Sequence, residues 1–266
     1  MQRTDSASRV SAALRDRIVR PARRRVARLW TQFPGEIVGD DFAAWIEKLA
    51  ADPSVRTMVE VGSGAGDGST RAFVNGAVKQ ANPPALFCIE TSASRADELR
   101  KRYADKPFVH TYRAASVGPD QYMSEQDALA WHRAFGARTR TKNTEESILA
   151  TRTWELTAFD EPGFKSNAVE MIRADHGVTH FDVALLDGSR YTGAADLRQV
   201  YGARWLLLDD ILNMKNQPNG MSLVFDPNYK LVHADQRTRD GFAVFERVGS
   251  DADIAEHQQA GVAARS

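Results

Sequence analysis

The feature that most constrains the fold of this chain is an apolar segment that runs directly into a glycine-rich turn. The segment reads Met58-Val-Glu-Val-Gly-Ser-Gly-Ala-Gly-Asp-Gly-Ser69. Glycine adopts backbone conformations that are closed to other residues, and it lets a ligand approach the main chain. Between a strand and a helix, such a turn presents backbone N–H groups and the helix N-terminus to a ligand. The pattern therefore predicts a binding site for a nucleotide-like cofactor in an α/β fold.

The spacing of the glycines excludes two common nucleotide-binding motifs. A dinucleotide fingerprint requires Gly-x-Gly-x-x-Gly, but counting from Gly62 or Gly64 places Asp67 or Ser69 at the last position. A phosphate-binding P-loop ends in Gly-Lys-Ser/Thr, and this turn continues as Gly-Ser-Thr without a lysine. An ordinary tight turn in an unrelated α/β protein stays open as the alternative.

The turn resembles motif I of class I methyltransferases that depend on S-adenosyl-L-methionine (SAM), with the pattern Glu/Asp-x-Gly-x-Gly-x-Gly starting at Glu60. In that family, the glycines pass beneath the methionine part of SAM, and an acidic residue at the end of the next strand binds the ribose hydroxyls. Glu90 ends the next apolar segment, and a carboxylate can accept hydrogen bonds from both hydroxyls of a diol. The resemblance implies SAM as cofactor, bound by Glu60, Gly62, Ser63, Gly64, Gly66, Ser69, Glu90, Thr91 and Asp187.

Apolar strand-like segments alternate with helical segments along the chain. The last two predicted strands, Tyr229–Ala234 and Gly241–Val248, are too close for a crossover helix and should form an antiparallel hairpin. The pattern predicts an α/β fold, with a Rossmann-like, mostly parallel seven-stranded sheet, helices on both faces and a C-terminal antiparallel hairpin. The other predicted strands are Thr57–Val61, Ala85–Glu90, Phe108–Arg113, Phe181–Asp187 and Arg204–Asp209, and predicted helices are Asp67–Gln80, Ser94–Tyr103 and Tyr191–Tyr201.

A single methyltransferase-like domain is expected over residues 36–248, with a helical insertion at about 118–165. The stretch between the third and fourth strands is too long for one crossover, and it contains helical patterns at Ser124–Phe135, Thr144–Thr153 and Ser166–Asp175. The last of these can serve as the crossover helix. The other two should lie beside the carboxyl ends of the strands, where such sheets bind ligands. A substrate lid and a subunit contact in a homo-oligomer both stay open as their role.

The chain has no net charge, but its charges are unevenly distributed. Residues 1–30 contain nine arginines and two aspartates, and their apolar spacing predicts short amphipathic helices in a basic extension at 1–35. We expect this extension to pack on the domain or on a partner subunit. Contact with a membrane surface or with nucleic acid is the less favoured alternative. The polar stretch 249–266 is expected to be a flexible tail.

The composition is that of a folded cytoplasmic protein. The only cysteine, Cys88, excludes a disulfide framework. No apolar run approaches the roughly 20 residues that a transmembrane helix needs, and no secretory signal peptide is evident.

Three aspartates follow two neighbouring predicted strands. Asp187 ends the fourth predicted strand, and Asp209 and Asp210 come at the end of the fifth. Their carboxylates should converge at one edge of the sheet, where a hard divalent cation such as Mg²⁺ would offset the repulsion. Such an ion can bind a substrate hydroxyl and lower its pKa. In the alternative, Asp187 contacts only cofactor or substrate, Asp209 caps the next element and Asp210 faces water.

This region resembles metal-dependent sugar O-methyltransferases of the macrocin and mycinamicin type, which carry an Asp-Gly-x-x-Tyr element and a downstream Asp-Asp. The resemblance implies catalytic roles for Asp187 and Tyr191, and metal binding by Asp187, Asp209 and Asp210. The chain departs from it at Arg190, where many relatives have histidine. The segment Leu208–Asn216 also resembles a less-characterised group of such methyltransferases.

The predicted activity is SAM-dependent methylation of a hydroxyl on a small molecule or glycan, with Mg²⁺ as a second candidate cofactor. Asp187 is the preferred base or ligand, ahead of His132, His176 and His180, of which the last two should lie at the sheet edge opposite the pocket. N-methylation, methylation of protein or nucleic acid, and a non-catalytic SAM-binding role stay open. The Asn/Asp-Pro-Pro-Tyr/Phe element of base-methylating enzymes does not occur after the fourth strand.

Overall fold

Residues 37–263 are described by the computed structural model of the chain. The strands are β1 (Thr57–Val61), β2 (Ala85–Glu90), β3 (Val109–Arg113), β4 (Val183–Leu186), β5 (Trp205–Asp209), β6 (Tyr229–Asp235) and β7 (Phe242–Arg247). The α-helices are α1 (Asp41–Ala50), α2 (Ser69–Ala77), α3 (Ala93–Arg102), α4 (Glu125–Phe135), α5 (Glu145–Leu156), α6 (Ala168–His176), α7 (Gly193–Val200), α8 (Gln217–Val224) and α9 (Asp251–Ala263).

The strands form one seven-stranded sheet in the order β3-β2-β1-β4-β5-β7-β6. The first five strands are parallel to one another. β7 runs antiparallel between β5 and β6, so the last two strands form the expected hairpin. The predicted Rossmann-like fold is confirmed, and the strand ends differ from prediction by one or two residues at most.

Each central strand is apolar on both sides because helices cover both faces of the sheet. Successive side chains of a strand point to opposite faces. Met58 of β1 therefore packs in the cluster that includes α1 and α2, whereas its neighbour Val59 packs in the cluster that includes α6 and α7. These two layers bury the sheet. Because β1 to β5 run parallel, their carboxyl ends all lie at one edge of the sheet, the carboxyl edge.

The insertion between β3 and β4 packs against this carboxyl edge. Its helices α4 and α5 lie where two additional helices are predicted, and α6 then leads into β4. The hydroxyl of Tyr191, in the turn after β4, donates to the carbonyl of Ile148 on α5 at 2.6 Å. Trp131 of α4 donates to Gln217, at the start of α8, at 3.0 Å. The insertion is thus joined to the segments that follow both β4 and β5.

The C-terminal segment differs from the expected flexible tail, because helix α9 occupies most of it. Ile254 is fully buried, and the ring of His257 stacks on Tyr201 with centroids 4.4 Å apart. Ile254 is the one buried residue among positions 251–259 of this helix, so no amphipathic repeat predicts the helix from the sequence. The basic extension at 1–35 lies outside the described residues. Among residues 37–263, no helix is both long and apolar enough to cross a bilayer.

The contact between α1 and α2 provides a test of the packing. A side chain at Gly76 of α2 would overlap the carbonyl oxygen of Glu47 on α1. Gly76→Ala should therefore lower the free energy of unfolding by about 1 to 3 kcal/mol, as overpacking does. Gly220→Ala is the matched control, since only Ile211, at 4.0 Å, lies near that position of α8. Alanine there should add up to about 1 kcal/mol through helix propensity.

Urea denaturation followed by far-ultraviolet circular dichroism measures both variants. A Gly76→Ala protein as stable as the wild type would contradict the close packing of the two helices.

Candidate functional site

The glycine turn after β1 is held against β2 by its own backbone. The amides of Gly62 and Ser63 both donate to the carbonyl of Ile89, at 3.0 and 3.1 Å. Gly62, Gly64 and Gly66 all have positive φ, at 92°, 57° and 80°, which explains the choice of glycine at these positions. Nothing lies within 4 Å of the place where a Gly64 side chain would begin. The main chain is therefore open to a ligand at Gly64.

Glu90, at the end of β2, lies directly beside this open backbone. One oxygen of its carboxylate accepts from the amide of Gly64 at 2.9 Å, and the other accepts from the amide of Ser92 at 2.7 Å. Burial outweighs these hydrogen bonds and raises the pKa of Glu90. Thr91 is exposed next to it. Each carboxylate oxygen keeps a lone pair for a further donor, so Glu90 suits a ligand with neighbouring hydroxyls.

Glu60 supports the turn from below. It is fully buried, and its carboxylate accepts hydrogen bonds from the hydroxyls of Ser69 and, at 2.6 Å, Thr70. Ser63 is also buried, and its hydroxyl points at the carbonyl of Glu60 at 3.4 Å. These contacts tie the start of α2 to the end of β1. Among the predicted cofactor residues, Glu60, Ser63 and Ser69 thus shape the turn, whereas Gly64 and Glu90 line its open side.

The three predicted aspartates converge at the ends of β4 and β5. One carboxylate oxygen from each of Asp187, Asp209 and Asp210 lies within 4.8 Å of the others. The ammonium group of Lys215 binds Asp187 and lies 2.7 Å from Asp210. Arg239 lies 2.8 Å from Asp209. The cluster therefore contains two side-chain cations that the sequence does not predict.

Burial and these ion pairs set the charge of each carboxyl group. Burial raises the pKa of Asp187, and Lys215 only partly opposes the shift. Burial and the neighbouring carboxylates also raise the pKa of Asp209 against the effects of Lys215 and Arg239. Burial disfavours ionisation of Asp210 as well, but Lys215, Asn213 and Arg239 together outweigh it and hold that pKa below its usual value. The carboxylates in turn keep Lys215 protonated by raising its pKa.

The arrangement does not fit a divalent cation as it stands. An ion such as Mg²⁺ binds through carboxylate oxygens and water, and the nearest oxygens of Asp187 and Asp210 are bonded to Lys215. The predicted repulsion among the carboxylates is real, but side-chain cations offset it here. Magnesium binding by the three aspartates stays a prediction.

The backbone around Lys215 is tightly held. Its amide donates to the side chain of Asn213 at 2.8 Å, and a side chain at Gly193 would overlap its carbonyl oxygen. The buried side-chain amide of Asn216 donates to the backbone carbonyls of Leu186 and Asp209, at 2.8 and 2.6 Å. Asn216 therefore joins the ends of β4 and β5 and positions Lys215 between them.

A further carboxylate, which the sequence does not predict, reaches the site from the insertion. Glu155 of α5 is half-buried and accepts a hydrogen bond from the hydroxyl of Ser189, two residues after Asp187. Burial outweighs this bond and the charges of Arg190 and Lys215, and it raises the pKa of Glu155 to about 7. A carboxyl group with such a pKa can accept a proton near neutral pH.

The remaining candidates for catalysis are Tyr191 and three histidines. Tyr191 is only 1% exposed and its hydroxyl is bonded to the insertion, and a catalytic role for it stays a prediction. His176 and His180 precede β4 at the opposite end of the strand, as expected. His132 packs against Gly136 at the end of α4.

Comparisons with known proteins agree with the fold. No family model and no curated protein matches the sequence. Among solved structures, an O-methyltransferase from Bacillus cereus in complex with SAH has a TM-score of 0.50 and 14% identity, over 84% of this chain and 89% of that one. Cofactor-bound Rv0187 from MTB has a TM-score of 0.51 and 13% identity, over 94% and 100%. At such identities the similarity shows the fold alone, and this chain has the Rossmann-like fold of class I SAM-dependent methyltransferases.

Proposed function

We propose that this protein is a SAM-dependent O-methyltransferase that methylates a hydroxyl group of a small molecule or glycan. The observation that carries the proposal is the open main chain at Gly64 with the Glu90 carboxylate bonded beside it. In this fold, ligands bind at the carboxyl ends of the strands, which is where both residues lie. Solved structures with a similar fold include an O-methyltransferase with bound SAH.

The glycine turn and Glu90 would hold the cofactor. Gly64 would let the cofactor approach the main chain closely, and Glu90 has lone pairs left for the two ribose hydroxyls. When bound, SAM would supply a methyl group bonded to a positively charged sulfur. S-adenosylhomocysteine, which contains that sulfur, is a good leaving group. The protein's main task is then to align the acceptor oxygen and to remove its proton.

The acceptor side of the site contains groups for both tasks. Glu155 is placed to take the proton from the acceptor hydroxyl, because it is half-buried and its pKa is about 7. Asp187 is bonded to Lys215, so it serves better to position that ammonium than to act as the base. Removal of the proton leaves an oxygen nucleophile, whose negative charge the Lys215 ammonium would stabilise.

The insertion favours a small acceptor over a macromolecule. Its contacts through Ile148 and Trp131 place α4 and α5 against the segments after β4 and β5. The two helices therefore restrict the access of a large acceptor to the carboxyl ends of these strands. Methylation of nitrogen, or of a protein or nucleic acid, is the alternative that an acceptor screen would detect.

Cofactor binding is the first test. Wild-type protein should bind both SAM and S-adenosylhomocysteine in calorimetric titrations. Glu90→Gln should weaken both by about 10-fold to 100-fold, because a hydrogen bond to a charged group contributes about 1.5 to 3 kcal/mol. Glu98→Gln, an exposed glutamate on α3, is the matched control and should bind as the wild type does. Failure of the folded wild-type protein to bind either compound would contradict the proposed function.

The ionisation of Glu155 can be tested before an acceptor is known. Its pKa rises from 4.5 to about 7 on folding, so the folded state binds the proton more tightly and the wild type loses stability as the pH rises between these values. Glu155→Gln carries no charge and escapes this loss. Its Tm should exceed that of the wild type at pH 8, and the gap should shrink as the pH falls towards 5.

Glu146→Gln, an exposed position on the same helix, is the matched control for the loss of one carboxylate. A Tm difference for Glu155→Gln that stays constant across this pH range would show that Glu155 has an ordinary pKa.

A role of Glu155 as base predicts a second, kinetic effect. With an acceptor identified by screening hydroxylated compounds and glycans, the wild-type rate should rise with pH through about 7, because Glu155 must be ionised to accept the proton. Glu155→Gln should lose this dependence and about 100-fold to 10,000-fold in kcat. Binding of S-adenosylhomocysteine should be unchanged in the variant. An unaltered pH profile in Glu155→Gln would assign the base to another group.

A further inference from the structure

The carboxylate cluster after β4 and β5 contains its own cations. The Lys215 ammonium binds Asp187 and Asp210, and the Arg239 guanidinium binds Asp209. All three carboxylates are therefore paired with a positive side chain of the same protein.

Lys215 is built into the cluster and is not a surface residue that happens to reach it. Its side chain is only 12% exposed. The main chain on either side is fixed by Asn213, Asn216 and the close approach of Gly193. Moving the ammonium away would leave a buried charge without partners, which is costly. A hard cation that binds the same oxygens must displace the ammonium at this cost. The displaced ammonium would also repel the cation.

We propose that Lys215 takes the place of a divalent cation in this site, so that the protein methylates its acceptor without a metal. The inference rests on the proposed function and deepens it. It also explains why three converging carboxylates are tolerated: the lysine offsets the charge that a metal ion would otherwise offset.

An ammonium group does part of the work of a metal ion. It has three N–H donors, and Asp187 and Asp210 accept from two of them. The remaining donor suits an acceptor oxygen, whose negative charge it stabilises as the proton leaves. One N–H group donates to one oxygen, so an acceptor molecule with a single hydroxyl group can use this contact. Chelation of two neighbouring oxygens, which a metal ion favours, is not required.

Binding of Mn²⁺ tests the proposal without any acceptor. Mn²⁺ is paramagnetic and takes the same oxygen ligands as Mg²⁺. Titration of the full-length wild-type chain, saturated with S-adenosylhomocysteine and followed by electron paramagnetic resonance, should show no stoichiometric site. Lys215→Met keeps the length of the side chain but frees the carboxylates, and it should bind Mn²⁺ about 10-fold to 1000-fold more tightly. Lys230→Met, an exposed lysine on β6, is the control and should behave as the wild type does.

Two results would overturn the proposal. One is a wild-type protein that binds one Mn²⁺ per chain and loses it in Asp187→Asn. The other is a folded Lys215→Met variant that binds Mn²⁺ no better than the wild type. If Lys215→Met does not fold, Lys215→Gln takes its place and the wild-type titration still decides. Calorimetry with S-adenosylhomocysteine on the same samples distinguishes failure of this proposal from failure of the proposed function. Absence of cofactor binding would contradict the proposed function, whereas the Mn²⁺ titration tests the role of Lys215.

Discussion

The close approach of the turns after β1 and β4 determines the geometry of the whole site. The amide of Asp187 donates to the carbonyl of Val61 at 2.9 Å, and a side chain at Gly62 would overlap the carbonyl oxygen of Asp187. Only glycine permits this contact. It brings the proposed cofactor side, shaped by the glycine turn, next to the proposed acceptor side, shaped by the aspartates. The proposed methyl transfer needs donor and acceptor within a short distance of each other, and this backbone contact holds the two sides together.

Buried charge links the site to the rest of the fold. Arg239, in the hairpin loop, pairs with both Asp209 at the end of β5 and Asp40, the N-cap of α1. Lys215 pairs with carboxylates that follow two different strands. Since an unpaired buried charge is strongly destabilising, each of these residues depends on the others being in place. The electrostatics of the site are therefore also part of what holds the hairpin and α1 to the sheet.

The sequence predicts best what depends on neighbouring residues. The glycine turn, the strands and the convergence of three aspartates follow from local pattern and from the rule that parallel strands end at one edge. Lys215 lies in an irregular segment without periodicity, and Glu155 is one polar residue among several on its helix. Their positions depend on how the insertion and the segment after β5 pack, which no local pattern records. Helix α9 is not predicted for the same reason, since Ile254 is the one buried residue among its positions 251–259.

This division has a physical consequence for function. The proposed cofactor side is built from one continuous stretch, the turn after β1, together with Glu90 of the adjacent strand, so little tertiary adjustment is needed to form it. The proposed acceptor side combines Glu155 from the insertion, Asp187 after β4 and Lys215 after β5, which are distant in the chain. Changes in the insertion can then alter the acceptor without disturbing the glycine turn. Lys215 fits this arrangement, because its positive charge is in place once the protein has folded and does not depend on a bound metal ion.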